Sequence, residues 1–319
     1  AHWLAREGAG SYAYGVRIAL SHDRGTTWSD PVTPHRDGTR TEHGFVTLYP
    51  APDGGVSAVW LDGRNMAGTA AQDGHGMGAD MTLRATTIGP GGATGPELLV
   101  DDRTCECCQT DVAIAADGPV LAYRNRSPDE IRDIAIARFR DGRWSEPHTV
   151  HPDRWQILAC PVNGPAIAAD SDRVAVAWFT AARDTPRVLI AFSSDGGETF
   201  GAPVRADDGD PVGRVDLLLL DGGNALLSWL ERGEPSTVRV RRIAAAGLTG
   251  PATTVTTTSA ARASGFPRMA RSRNGIVFAW TVPGAGGGVR TALVADQAPL
   301  STVGRFSHVG SLAARRYSR

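Results

Sequence analysis

The chain contains no lysine: all 33 of its basic residues are arginine, set against 34 Asp and Glu for a formal net charge of −1. That balance leaves no electrostatic case for a nucleic acid or an anionic membrane surface as partner. The arginine-only set reads as the base composition of a GC-rich coding sequence. Helical periodicity is missing too, since no stretch keeps the i, i+3, i+4, i+7 apolar spacing long enough to mark a helix. No apolar run reaches the roughly 18 residues of a membrane span. Cysteine is scarce, with four residues in 319. The chain starts at Ala1 without methionine, and a secreted or periplasmic location with a removed leader is expected.

Turn-forming residues are abundant, with Gly 38 and Pro 20. An alternating apolar strand ending in an aromatic recurs from end to end, at Trp3, Trp60, Tyr123, Trp178, Trp229 and Trp280. After each comes a proline opening a short strand, at Pro31, Pro96, Pro147, Pro203, Pro251 and Pro299. Self-similarity at about 50 residues with four strands per unit predicts a β-propeller. Six units give an all-β, six-bladed propeller of four-stranded antiparallel blades, a single domain over 1–319. The periodic aromatics are expected as packing between blades. The first unit lacks its innermost strand, which either 304–319 or an upstream segment would supply.

Two turns carry a sharper pattern, "SHDRGTTW" at 21–28 and "SSDGGETF" at 193–200. Both resemble the Asp-box (BNR repeat) of the sialidase superfamily. Asp23 and Asp195 would accept backbone N–H bonds, Ser21, Ser193, Gly25 and Gly197 would shape the turn, and Trp28 or Phe200 would plug beneath it. Asp-boxes in that family are structural and lie on the face away from the active site. The opposite face here collects a dense set of arginines and carboxylates.

What the resemblance implies for function is a bacterial, exported, sialidase-like protein that binds a glycan or small anionic molecule, a glycoside hydrolase of exo-sialidase type. Such a protein is expected as a monomer and needs no cofactor for hydrolysis. Arg64, Arg124, Arg126 and Arg214 would clamp a carboxylate, Asp62 or Asp80 would be the acid and Glu130 the activating glutamate, with His43, Arg132 and Asp133 beside them. The plain alternative is that these arginines and acids pair with one another. Two departures stand out. The family's R-I-P motif is absent, and no tyrosine sits where a nucleophile is needed, Tyr123 falling within a strand.

The remaining motif is "RTCECCQTD" at 103–111. Two units share "AIAAD", at 113–117 and 166–170, and counting back six residues from each lands on Cys107 and Cys160. These two therefore hold equivalent positions before adjacent innermost strands, with Cys105 and Cys108 flanking the first. Four cysteines allow three complete pairings, and an oxidising compartment favours Cys107–Cys160. The alternative is a soft Cu(I) or Zn(II) site on Cys105, Cys107, Cys108 and Cys160, with His43 nearby, in a non-catalytic metal-binding or redox protein.

Overall fold

A computed structural model describes every residue except 11, 68–79, 248, 285–286, 295–306 and 309–319. All regular structure in it beyond short 3₁₀ turns is β-strand, arranged as antiparallel sheets of consecutive strands. The chain divides into two compact units, Ala1–Gly164 and Pro165–Arg319. No helix among the described residues is long and apolar enough to cross a membrane.

In the first unit, β1 (His2–Arg6) pairs with β2 (Tyr14–Ile18). The next sheet runs β3 (His43–Pro50), β4 (Val56–Asp62), β5 (Met81–Ile88) and β6 (Leu98–Thr104), in that order. A third sheet holds β7 (Asp111–Ala115), β8 (Gly118–Arg124) and β9 (Ile134–Arg140). Its outer edge is made by β10 (Arg143–Trp144) and β11 (His148–Thr149), which lie along the same side of β9. Pro147, which has no N–H to give the ladder, separates the two pieces.

The second unit repeats the pattern three times, each sheet in chain order. Its strands are β12 (Ala166–Asp170), β13 (Arg173–Thr180), β14 (Arg187–Ser193) and β15 (Val204–Arg205); β16 (Pro211–Leu219), β17 (Ala225–Glu231), β18 (Ser236–Ile243) and β19 (Thr253–Thr258); then β20 (Arg268–Ser272), β21 (Gly275–Val282), β22 (Gly288–Val294) and β23 (Ser307–His308). Of 304–319, considered above for closing the first unit, the described strand is Ser307–His308, which pairs with β22. The expected strand after Pro299 lies outside the described residues.

From the second sheet onward, the periodic aromatics sit in the second strand of each sheet. Trp60, Tyr123, Trp178, Trp229 and Trp280 are all buried. These strands are covered on both faces, so they read as near-continuous apolar runs rather than strict alternation. Trp3 departs from the expectation. It lies on β1, whose sheet has two strands, and is 43% exposed.

The two "SxDxGxT" turns share one hydrogen-bond network. Ser21 and Ser193 donate to Asp23 and Asp195 Oδ1, while Thr27 and Thr199 donate to the same carboxylates through both amide and hydroxyl. Gly25 and Gly197 adopt φ near +87° and +83°, a region glycine enters without a Cβ clash. Trp28 corrects one detail. It approaches Gly25 but is 51% exposed, so it rests on the turn rather than plugging it.

Candidate functional site

In the first unit, buried charged groups gather at the ends of β4 and β8 and in the loops that follow β2, β6 and β8. Residues 105–110 leave β6 and are pinned at once, because Cys105 N donates to Arg124 O at 3.0 Å and Thr104 Oγ1 to the same oxygen at 2.9 Å. Residues 159–164 dock against this loop by three tethers. Cys107 and Cys160 form a disulfide with Cα atoms 5.9 Å apart. Gln109 exchanges two hydrogen bonds with the Gly164 backbone. Arg124 Nε donates to Asn163 O at 2.9 Å. The repeat-based pairing of Cys107 with Cys160 is thus formed, and Cys105 and Cys108 are free thiols.

Around these sulfurs lie the groups expected as anion clamps. Arg132 Nη1 is 3.3 Å from Cys105 Sγ and 3.0 Å from Glu106 Oε2, while its Nη2 donates to Glu130 Oε2 at 2.9 Å. Arg126 holds Glu130 bidentately, at 2.7 and 3.0 Å. Arg124 donates to the carbonyls of Asn163 and Arg132 and stacks over Trp155. Asp133 accepts the amides of Arg154 and Trp155, so it fixes the loop. The arginines therefore have partners within the protein. Arg126 and Arg132 share two carboxylates, Glu106 and Glu130, and Arg132 also faces Cys105 Sγ.

The electrostatics favour an ionised Cys105. The neighbouring Cys108 thiol, then Arg132 and Arg124 acting against burial, bring the Cys105 thiol down to about 7. Cys108 goes the other way, pushed well up by burial and then by Cys105. The sulfurs are close: Cys105 Sγ lies 3.8 Å from Cys107 Sγ and 3.3 Å from Cys108 Sγ. Cys105, Cys107 and Cys108 are buried, whereas Cys160 is partly exposed next to exposed Leu158 and Ala159. Backbone strain gathers here too, with Glu130 at φ 59° and Val162 at φ 48°. Positive φ is rare for any β-branched residue.

A second polar cluster in the same unit surrounds Asp62. Its carboxylate accepts Trp60 Nε1 at 2.9 Å and Arg64 Nε and Nη2 at 2.8 and 2.7 Å. Although burial opposes it, Arg64 and His43 hold Asp62 below its ordinary range. Trp229 makes the same indole-to-carboxylate bond to Glu231. An aromatic and an acid two residues apart share one strand face, so this is a repeated strand-end device, and its acid is committed to structure. Arg64 also bridges to Glu97, which Arg84 shares.

His43 and His35 stack at 3.8 Å, and His43 Nε2 meets Asp37 Oδ2 at 3.0 Å. His35, Asp37 and His43 bring their ligand atoms within 4.8 Å of one another, yet their hydrogen bonds oppose a metal. Val16 N–H donates to His35 Nε2, which places the ring proton of neutral His35 on Nδ1, the atom a metal would need. His43 Nδ1 faces the carbonyls of Tyr14 and Thr41, and its Nε2 is already taken up by Asp37.

Asp80 pairs with Arg103 at 2.7 Å, each about a third exposed. Arg214 belongs to the second unit, where it donates to Ser264 Oγ and to the carbonyls of Gly265, Ala260 and Ala261. Tyr123 OH meets Asp101 at 2.5 Å. That is a tyrosine–carboxylate pair, but burial and then the Asp101 charge push the phenol well up, so it belongs to the core. Glu106, Trp155 and Glu97 were missed by sequence reasoning. The position of Glu106 between two cysteines was the available signal.

No family model matches the chain, and no curated protein matches it. Solved structures do. A protein of unknown function from Dyadobacter fermentans DSM 18053 is 16% identical with a TM-score of 0.56, covering 89% of this chain and 84% of that one. The Hadza microbial sialidase Hz136 is 12% identical with a TM-score of 0.49, covering 89% and 65%. A GH43_12 protein retrieved from a capybara gut metagenome is 12% identical with a TM-score of 0.46, covering 63% and 41%. The chain spans less than two thirds of the length of the last two. At these identities the likeness is one of fold alone, and the first of them carries it.

Proposed function

We propose that this chain is an exported, sialidase-like six-bladed propeller whose working site is the thiol–disulfide cluster of its first unit. The six repeats and the two Asp-box-like turns support the scaffold. One observation carries the chemistry: Cys105 Sγ lies 3.3 Å from the Arg132 guanidinium and 3.8 Å from Cys107 Sγ, itself bonded to Cys160. A cation-stabilised thiolate beside a disulfide is the arrangement thiol–disulfide exchange requires. The external reactant is a dithiol protein or small molecule that enters at the partly exposed Cys160. Its first thiolate bonds to Cys160 Sγ as Cys107 leaves with the electron pair of the old bond. Its second thiolate displaces Cys160, leaving the partner oxidised and Cys107 and Cys160 reduced.

The test is ultraviolet thiolate absorbance against pH. The wild-type protein is expected to develop one thiolate near neutrality. Arg132→Met, which keeps bulk and removes charge, should move it up by about one pH unit or more, and Cys105→Ser should abolish it. Absence of any thiolate below the ordinary thiol range sinks the reading. Copper or zinc found by elemental analysis of the same sample would replace it with the metal-binding alternative.

The second reading is a glycan or anionic ligand site with exo-sialidase-like hydrolysis. Its support is the Asp-box pattern and the Asp80–Arg103 pair, which retains solvent access. An anion at Arg64, Arg126 or Arg132 would have to displace Glu97, Glu106 or Glu130. Release of sialic acid or of a fluorogenic aglycone is the assay, and no turnover from any acidic sugar removes it.

A further inference from the structure

The cluster holds more sulfur than a single exchangeable bond needs. Two thiols sit beside the disulfide, and Cys105-Glu106-Cys107-Cys108 contains the C-x-x-C spacing of a dithiol that closes readily. Cys105 Sγ is the shared neighbour, 3.8 Å from Cys107 Sγ and 3.3 Å from Cys108 Sγ. We propose that the four cysteines form an internal disulfide relay, in which the Cys107–Cys160 and Cys105–Cys108 bonds are alternative positions of one disulfide and Cys105 is the transfer point. This rests on the reading of the cluster as a thiol–disulfide centre.

Two balanced steps connect the states. In the first, the Cys105 thiolate forms a bond to Cys107 Sγ. The Cys107–Cys160 bond breaks, and its electron pair leaves with Cys160, which takes a proton from solvent. Cys160 is the partly exposed residue of the pair, which favours it as the leaving group. In the second, Cys108 bonds to Cys105 Sγ, the Cys105–Cys107 bond breaks, and Cys107 leaves as a thiolate that takes the proton Cys108 gives up. No external oxidant or reductant enters. One disulfide and two thiols give one disulfide and two thiols.

The surroundings order these steps. Arg132 and Arg124 stabilise the attacking Cys105 thiolate and leave Cys108 neutral beside it. Once Cys105 is bonded to Cys107 its charge is gone, and with it part of what holds Cys108 protonated. Cys108 is thus easier to deprotonate after the first step than before it, with burial still opposing. The result is a buried Cys105–Cys108 bond and a free Cys160 on the accessible loop, still held by the Gln109–Gly164 and Arg124–Asn163 hydrogen bonds.

The experiment traps Cys160 in the native, oxidised protein with a maleimide, without added reductant, and maps disulfides by mass spectrometry after acid quench. In wild type, Cys160 should acquire label while Cys105–Cys108 accumulates. Cys108→Ser should stop at the first step, with Cys105–Cys107 bonded and Cys160 labelled. Cys105→Ser should keep Cys107–Cys160 and label Cys160 at least about tenfold more slowly. Wild type that keeps Cys107–Cys160 unlabelled, yet is reduced there by an added dithiol, overturns the relay and leaves the exchange centre standing. Equal labelling of Cys105→Ser and wild type also overturns it. A bond that resists even the added dithiol in folded protein overturns the exchange reading itself.

Discussion

Glu42 shows how burial alone can set a charge state next to the cluster. Burial, then the nearby Glu106 charge, raise its carboxyl from an ordinary 4.5 to about 7, with His43 opposing. A folded-state value above the unfolded one means that the folded protein holds the extra proton. The stability linked to it is complete below pH 4.5 and is lost as pH rises toward 7. Glu42→Gln should flatten that slope, removing a loss of up to about 3 kcal/mol between those limits. Urea unfolding of both proteins at pH 4.5, 6 and 7.5 measures it, and parallel pH profiles would contradict it. Glu42 lies in the loop just before β3. Its protonation was not legible, because it depends on Glu106 two loops away in the chain.

Strands were legible and loops were not. The apolar runs ending in an aromatic and the repeat spacing marked the second strands, and the repeat equivalence marked Cys107 with Cys160. The partners of Arg126 and Arg132 depend instead on Glu130, which adopts positive φ, and no sequence pattern announces that. Gly164 is the clearest loop-scale constraint. A Cβ there would sit 1.8 Å from the Gln109 carbonyl oxygen, so the cysteine loop and the Cys160 loop approach as closely as they do only around glycine. Gly164→Ala should force the loops apart and cost about 2 kcal/mol or more, read as a lower urea midpoint. The two "SxDxGxT" turns behave differently. Backbone donation from Thr27 holds Asp23 at about 2, and against burial Ser193 and Thr199 hold Asp195 there as well. Their contribution is present above pH 4 and fades only as pH falls toward 2, outside the window in which Glu42 acts.

At the scale of the whole chain, the position of the disulfide matters more than its presence. Cys107 and Cys160 are 53 residues apart in sequence, so their bond closes a long loop in the unfolded chain. On the chain-entropy account that closure is worth about 4 kcal/mol, whereas a Cys105–Cys108 bond closes a loop of a few residues worth about 2 kcal/mol. Both bonds leave the folded backbone equally ordered, so the difference falls on the unfolded state. Moving the bond inward therefore leaves a fold of the same content that resists unfolding less. Protein with Cys160 trapped and Cys105–Cys108 closed should unfold about 2 kcal/mol more easily than the untreated protein, and fully reduced protein about 4 kcal/mol more easily. Guanidinium unfolding of the three samples, checked for bond position by mass spectrometry, compares them directly. An untreated and a Cys160-trapped sample with the same midpoint would show that the long loop contributes nothing to holding this chain folded.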